Sequence, residues 1–313
     1  MFRKNNALWM VWRGVDGDQQ LWGSLWRDVE DDPARWSAPK VLGGGAFNST
    51  HAPSLAVSND AEEPTRVHMV WKGSGDDLRI FYTDQLPSGP GRPLKGPSGP
   101  FLTTARPGIA ILNKQPVIAW RAPGNDALMW SARSANGTWS EPQQTGAQTS
   151  HGPALATFGN KVFGVWKAPG DESPWWATFN GASWSAIKPL PVVGGTVLLS
   201  DTPALIPSQS GLTMAYKGSQ TDSRIWLSDF QPGGSWSAPR DATPPDGGIL
   251  TNHGPAIGTQ QGVLRLAWKG VEGDQRVWSS AQTGNGWAVP DLINPGINSA
   301  SSPAMVPFTV FTL

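Results

Sequence analysis

The chain has 313 residues, no cysteine, and 24 basic residues that balance 24 acidic ones. The lack of cysteine excludes disulfides, thiolate–metal ligation and a cysteine nucleophile. The balanced charge lacks the basic footprint of nucleic-acid-binding proteins, so we expect no nucleic-acid partner. The 37 glycines and 29 prolines predict short strands joined by many turns, and the 18 tryptophans suit either packing between sheets or sugar-binding surfaces.

The beginning of the sequence, residues 1–6, is polar and leads directly into a strand-like pattern. It lacks the apolar core of a signal peptide, and no stretch of the chain has the length and hydropathy of a membrane span. We therefore expect no membrane insertion, and a protein that is cytoplasmic or released without a conventional signal peptide.

Along the chain, the first repeated pattern is an aromatic residue followed by a cation. It occurs at Trp12-Arg13, Trp71-Lys72, Trp120-Arg121, Trp166-Lys167, Tyr216-Lys217 and Trp268-Lys269. Ten residues after each of these aromatics stands a second one: Trp22, Phe81, Trp130, Trp176, Trp226 and Trp278. A period of roughly 50 residues is typical of propeller blades.

Two further patterns mark the edges of each unit. A proline followed by a small and then an apolar residue occurs at Pro53, Pro107, Pro153, Pro203, Pro255 and Pro303. Such small residues suit an innermost strand, because bulky side chains from six units could not all fit at a ring axis. A tryptophan near the end of most units marks the outermost strand. The second unit has Leu94 in a Pro- and Gly-rich stretch instead, which predicts a poor outer strand there.

In the sixth unit these patterns predict strands at residues 255–258, 264–269, 276–280 and 287–292, and no helical stripe is present. The sequence therefore predicts an all-β protein: one domain, residues 1–313, forming a six-bladed β-propeller of four-stranded antiparallel blades. Residues 6–13 form a second strand with no first strand before it. We expect residues 302–308 to supply that inner strand, so that the C-terminal strand pairs with the N-terminal one and closes the ring.

Two loops of each blade are expected at the same end of the ring. The mid-blade loop, between the second and third strands, carries the cation and then an acid, six residues after the aromatic: Asp18, Asp77, Asp126, Glu172, Asp222 and Asp274. The lead-in loop runs into the inner strand. Two residues before its proline stand His51, Ala105, His151, Asp201, His253 and Ser301.

Each of these sets has a structural and a functional interpretation. The aromatics either pack between blades or stack on sugars, and the acids either shape a turn and pair with the nearby cation or accept hydrogen bonds from a ligand. The three histidines either face a ligand or form hydrogen bonds within the loop. We assign no metal ligand, because histidines in alternate blades would lie far apart, and no cofactor.

Catalysis would require one convergent constellation of residues. A sialidase-type site needs an arginine cluster and a tyrosine nucleophile, whereas Tyr82 and Tyr216 both fall within the repeated patterns. We therefore assign no catalytic residue. An enzyme acting on glycans or small molecules, and a protein-interaction platform, remain as alternatives.

Six tandem tryptophan-rich units in a chain of this length resemble the fungal and bacterial fucose-binding propeller lectins of the Aleuria type. The resemblance implies a carbohydrate-binding lectin with several sugar sites on one face between blades, each built from an arginine, an acid and aromatic residues. It implies glycans or glycoconjugates as partners, fucose or a related neutral glycan among them, and a homodimer as one expected assembly. The cations of the resemblance are Arg13, Lys72, Arg121, Lys167, Lys217 and Lys269. The aromatics beside them are Trp22, Trp130, Trp176, Trp226 and Trp278.

Overall fold

The computed structural model describes residues 3–27, 36–58, 65–208, 210–231, 233–244, 247–293 and 296–312. Within them the chain forms six antiparallel sheets, and the inner strand of each sheet contacts the inner strands of its two neighbours, which makes a ring. The described residues contain no α-helix, only the 3-10 turn Leu42–Gly45. None of the described helical segments has the length and hydropathy to cross a membrane. The predicted fold class, a six-bladed propeller, is confirmed.

Each sheet is one blade, with its strands ordered from the axis outward. Blade 1 consists of Ala304–Thr312, Arg3–Arg13, Leu21–Arg27 and Lys40–Val41. Blade 2 consists of Ser54–Ser58, Arg66–Lys72, Ile80–Thr83 and Arg92–Pro93. Blade 3 consists of Gly108–Leu112, Gln115–Arg121, Ala127–Ala132 and Gln143–Gln148.

The second half of the ring repeats this order. Blade 4 consists of Ala154–Phe158, Lys161–Lys167, Pro174–Phe179 and Lys188–Pro189. Blade 5 consists of Ala204–Pro207, Leu212–Lys217, Ile225–Phe230 and Arg240–Asp241. Blade 6 consists of Ala256–Gln260, Val263–Lys269, Val277–Thr283 and two short outer pieces, Gly286–Trp287 and Asp291–Leu292. A separate hairpin, Lys95–Gly96 with Gly99–Pro100, follows the outer strand of blade 2.

The two ends of the described chain meet in blade 1. Ala304–Thr312 pairs antiparallel with Arg3–Arg13, and the register places Phe308 opposite Ala7 and Ala304 opposite Val11. This pairing supplies the inner strand of the blade. All six inner strands then line a central chamber of about 390 Å³, whose walls are mostly aliphatic.

The hydrophobic core is divided into six clusters, each between two neighbouring blades. The aromatic residue near the end of each second strand is at most 2% exposed in all six blades. Trp71, for example, stacks on Phe81 of its own blade at 5.7 Å and packs against Phe47 at 4.7 Å. These first aromatics therefore have the packing role and are not available to a ligand.

The outer strands differ most from prediction. The outer strand predicted at residues 287–292 is interrupted before Asp291–Leu292, in the segment that contains Pro290, since proline cannot donate to a ladder. Blade 2 has a two-residue outer strand, as expected, but so do blades 1, 4 and 5. The poor outer strand is therefore common to most blades rather than special to blade 2.

Candidate functional site

The mid-blade loops and lead-in loops lie together at one end of the ring, which we call the rim. Lys72 joins the two loops of blade 2: its Nζ donates to Thr50 Oγ1 at 3.0 Å and to the carbonyls of Gly73, Gly75 and Asp77 at 3.2 to 3.3 Å. Only 4% of Lys72 is exposed. Burial lowers its pKa, although two nearby aspartates oppose the shift.

The cations of the other blades repeat this contact. Lys217 donates to Ser200 Oγ at 2.9 Å and Lys269 to Asn252 Oδ1 at 3.1 Å, and both lysines are 6% exposed. Lys167 reaches Ser150 Oγ at 3.3 Å, and Arg121 reaches Thr104 Oγ1 at 3.1 Å while pairing with Asp126. These cations fasten the lead-in loop to the mid-blade loop. Arg13 is half-buried at the same position in blade 1.

In blades 2, 5 and 6 the rim acid binds an arginine two residues further along. Asp77 accepts from Arg79 Nε and Nη2 at 2.9 and 2.8 Å, and the same two-point contact joins Asp274 to Arg276 at 2.8 and 3.1 Å. The arginine hydrogen bonds lower the pKa of both acids, that of Asp274 to about 2. The carboxylates are therefore ionised at neutral pH, and they also accept from the backbone N–H of the same arginines, at 3.0 Å in both units.

An aromatic side chain completes each of these units. Arg224 Cζ lies 4.5 Å and Arg276 Cζ 4.8 Å from the centres of the rings of Trp226 and Trp278, and Arg79 Cζ lies 5.3 Å from that of Phe81. The indole nitrogens of Trp226 and Trp278 donate to the rim acid at 2.8 and 3.0 Å. We call the three units the acid–arginine–aromatic triads: Asp77–Arg79–Phe81, Asp222–Arg224–Trp226 and Asp274–Arg276–Trp278.

The arginines are the exposed cations of the rim, since their side chains are 47 to 50% accessible. All three triads also border the next lead-in loop through isolated β-bridges. Arg276 pairs there with Asn298, whereas Arg79 and Arg224 pair with Leu102 and Leu250. Both leucines are exposed, at 39 and 42%. Each of these two triads thus presents a cation, a carboxylate, an aromatic ring and an apolar patch between two blades.

The remaining blades depart from this arrangement. In blade 1 the acid Asp18 accepts from Trp22 Nε1 at 2.8 Å, but Gln20 stands at the arginine position. In blade 3 the aromatic Trp130 is only 6% exposed and Leu128 replaces the arginine. Blade 4 has Pro174 at the arginine position, two residues before the half-buried Trp176. Its acid, Glu172, accepts instead from the backbone N–H of Gln220 in blade 5 at 2.8 Å.

The predicted site residues include the three acids, Trp226 and Trp278, but not Phe81 or the arginines Arg79, Arg224 and Arg276. The repeated patterns consist of residues present in all six units, whereas these arginines occur in three. The usable signal was the spacing acid, arginine, aromatic at every second residue, which places all three side chains on one face of the start of the third strand.

The predicted histidines do not lie beside the triads. They surround the rim-side opening of a channel along the ring axis, which leads between the inner strands toward the central chamber. His51 Nδ1 bonds to Thr50 Oγ1 at 2.9 Å and His151 Nδ1 to Ser150 Oγ at 3.0 Å, while His253 Nδ1 lies 3.7 Å from Asp201. Burial lowers the pKa of His51 and His151, so both are neutral at pH 7. The described residues contain no group of histidine and acidic side chains that could hold a metal ion.

The hydroxyl side chains two residues before the histidines are bonded within the lead-in loops. Ser49, Thr149 and Thr251 are fully buried, and each donates to the carbonyl of the histidine two residues later at 2.7 to 3.0 Å. Deeper in the channel, Arg106 lines a neck of about 50 Å³ and donates to Ser54 Oγ at 2.8 Å. Burial lowers the Arg106 pKa to about 10, against the opposing charge of Asp201. A neck of this volume holds waters, not a sugar.

No family model and no curated protein sequence matches the chain. Solved structures do match it in fold. A variant of the Aleuria aurantia lectin in complex with Fucα1-6GlcNAc is 10% identical, with a TM-score of 0.66 over 96% of this chain and 97% of that one. AofleA from Arthrobotrys oligospora is 10% identical, with a TM-score of 0.59 over 98% and 93% of the two chains. SapL1 lectin in complex with α-methyl fucoside is 13% identical, with a TM-score of 0.59 over 89% and 90%.

These likenesses establish the class by fold: the chain is a six-bladed β-propeller of the type found in the Aleuria aurantia fucose-specific lectin. The resemblance stated from the repeats is thereby confirmed for the architecture.

Proposed function

We propose that the protein is a carbohydrate-binding lectin whose sugar sites are the acid–arginine–aromatic triads of blades 2, 5 and 6. The observation that carries the proposal is the repeated half-exposed guanidinium, held by a carboxylate and stacked on an aromatic ring. A sugar needs such a set: charged donors for its hydroxyls and an apolar face for its C–H groups. The proposed sugar sites therefore use Arg79, Arg224 and Arg276, and not the cations that follow the first aromatics.

Fucose or a related deoxy sugar is the ligand that the triads of blades 2 and 5 favour. Their exposed leucines, Leu102 and Leu250, offer an apolar contact beside the guanidinium, and a methyl-bearing sugar could fill it. The solved structures of the same fold support this choice, because two of them contain fucosides.

The three sites are not equivalent. In Arg79 and Arg276 the Nε and Nη2 atoms bind the acid and leave the Nη1 edge for a ligand. Arg224 Nη1 instead donates to Asp241 at 3.3 Å. We therefore expect blade 2, which has both a free Nη1 edge and an exposed leucine, to bind most tightly.

The test is titration calorimetry with methyl α-L-fucoside on Arg79→Ala, Arg224→Ala, Arg276→Ala and the triple variant. Each single change should remove one site from a stoichiometry of three, and the triple change should weaken binding by at least about tenfold, since one lost charge-assisted contact is worth over about 1.4 kcal/mol. Arg240→Ala is the matched control, because Arg240 pairs with Asp229 outside the triads. Binding should depend little on salt, as the ligand is neutral.

Unchanged binding in a folded triple-arginine variant would reject the triads. Loss of binding in the triple variant His51→Ala, His151→Ala and His253→Ala, with the arginines intact, would move the sites to the channel mouth.

A glycan array and a reducing-sugar assay separate the other functions: released sugar indicates an enzyme, and no glycan binding at all favours a protein-interaction platform. Sedimentation velocity tests the expected homodimer.

A further inference from the structure

A cavity of about 560 Å³ lies between blades 2 and 3, at the end of the ring opposite the rim. One wall is the end of the third strand of blade 2, with Tyr82 and Asp84, and the other is the hairpin of blade 3 from Arg133 to Trp139. Third strands begin at the rim, so their last residues lie at the far end. The cavity shares no residue with the triads, and its volume suits a mono- or disaccharide.

The aromatic part of this cavity is held rigidly. Trp139 is half-buried and packs edge-on against Tyr82, with ring centres 5.6 Å apart. The Tyr82 hydroxyl is bonded to the buried His68 at Nδ1, 2.7 Å away. Since both rings are fixed before a ligand arrives, little ordering is required on binding.

The outer wall is particular to blade 2. The segment from Arg92 to Pro97 borders the cavity, and it includes the first strand of the Lys95–Gly96 and Gly99–Pro100 hairpin. The hairpin is fastened to blade 3, because the backbone N–H of Ser98 donates to Glu141 Oε2 at 3.0 Å. Among the described residues, no other blade has a two-stranded hairpin beyond its outer strand.

The charges around the cavity are mostly positive. Arg92, Lys95 and Arg133 line the cavity together with one acid, Asp84, whose Oδ2 lies 3.7 Å from Arg133 Nη1. A second acid, Glu141, lies just outside the lining, against Gly96. Arg92 and Lys95 are exposed, and neither forms an ion pair with another described residue. Because the whole chain has no formal net charge, this excess of positive charge is a local property of the cavity.

We propose that this cavity is a second ligand site, which binds a carboxylate-bearing saccharide. Arg133, Arg92 and Lys95 attract the carboxylate, Asp84 accepts a hydrogen bond from a ring hydroxyl, and Trp139 packs against the sugar. The presence of Asp84 selects a hydroxylated acid over a bare anion. The site is independent of the triads, which carry a balanced pair of charges and suit neutral sugars.

The experiment uses titration calorimetry with two acidic probes, methyl β-D-glucuronide and 3′-sialyllactose, and their neutral counterparts, methyl β-D-glucoside and lactose. At least one acidic probe should bind about tenfold more tightly than its counterpart, as expected for a charge-assisted contact. The affinity should fall as ionic strength rises. If neither acidic probe exceeds its neutral counterpart, the proposal is wrong.

Variants then locate the binding. Arg92→Gln with Lys95→Gln changes only exposed side chains and should abolish the preference for the acidic probe, as should Arg133→Gln if it folds. Lys188→Gln is the matched control, because Lys188 is also exposed and occupies the equivalent outer strand of blade 4, before Pro189. Acidic-probe affinity that survives in the double variant would overturn the proposal. Arg276→Ala should leave this binding intact, and the double variant should still bind methyl α-L-fucoside, so failure of one site does not imply failure of the other.

Discussion

Lys72 is a buried cation that joins the lead-in loop of blade 2 to its mid-blade loop. Its four acceptors belong to the two loops of blade 2, so Lys72→Met leaves them with fewer donors. We expect the free energy of unfolding to fall by about 1 to 2 kcal/mol, the usual penalty for unpaired buried polar groups, with fucoside affinity nearly unchanged. Urea denaturation measures the loss, and Lys40→Met, at an exposed position on the outer strand of blade 1, is the control. Equal stability of Lys72→Met and the native chain would contradict a fastening role.

His68 links stability to pH. Its ring lies between Ser58 Oγ and the Tyr82 hydroxyl, at 2.9 and 2.7 Å, and burial lowers its pKa from 6.5 to about 4. Between these values the unfolded chain binds the proton more readily than the folded one, so stability decreases as the pH falls from 6.5 to 4. The expected loss is about 3 kcal/mol.

Urea denaturation at pH 6.5, 5 and 4 checks this dependence. His68→Gln should remove most of this dependence and leave the smaller slope of His51 and His151, whose pKa values burial also lowers. His51→Gln, a substitution at the partly exposed rim, should retain most of the native slope. A native profile that does not change with pH, or a slope in His68→Gln as steep as the native one, would show that His68 is not the responsible group.

The sequence alone could identify the acids of the rim and the cation that follows each first aromatic, but not the direction in which each side chain points. Lys72 and Arg79 are both cations of one mid-blade loop, yet Lys72 is buried and Arg79 is half exposed. The difference depends on the lead-in loop, which stands more than 20 residues earlier in the chain and places Thr50 beside Lys72. Spacing within one unit cannot show such a contact.

Among the elements, the inner strand Ala304–Thr312 has the largest structural consequence, because it pairs along nearly the whole length of Arg3–Arg13. Deleting residues 302–313 should leave that strand with an unpaired edge and uncover the cluster around Leu8 and Met10. Unpaired edges promote association between chains. Light scattering and size-exclusion chromatography should therefore detect aggregates, whereas removal of residue 313 alone keeps every described pair. A monomeric deletion variant that unfolds cooperatively would contradict this.

The inner, second and third strands were predictable because burial imposes a pattern on them. In the sixth unit, the second and third strands begin within one residue of the predicted positions, at Val263 and Val277. Outer strands make only a few ladder contacts and are rich in proline and glycine, so their sequences constrain them weakly. The hairpin after Arg92–Pro93 forms one wall of the cavity proposed to bind an acidic saccharide. It could not be predicted for the same reason.

At the scale of the whole molecule, stability is shared between blades rather than held in one core. Each of the six hydrophobic clusters joins two neighbours, so a blade contributes half of two clusters and completes neither by itself. The same division lets the ligand surface vary from blade to blade. Arg276 of blade 6 and Leu128 of blade 3 occupy equivalent positions of the repeat. Only Arg276 provides an exposed cation.

Blade 1 combines the first and the last of the described strands to be translated. Arg3–Arg13 emerges from the ribosome before every other described strand, and Ala304–Thr312 emerges after all of them. During translation the first blade therefore keeps a bare edge while the other five are added, and the nascent chain is an open arc. Incomplete sheets of this kind are prone to association. Ring closure thus waits for Ala304–Thr312, the last of the described strands to be translated.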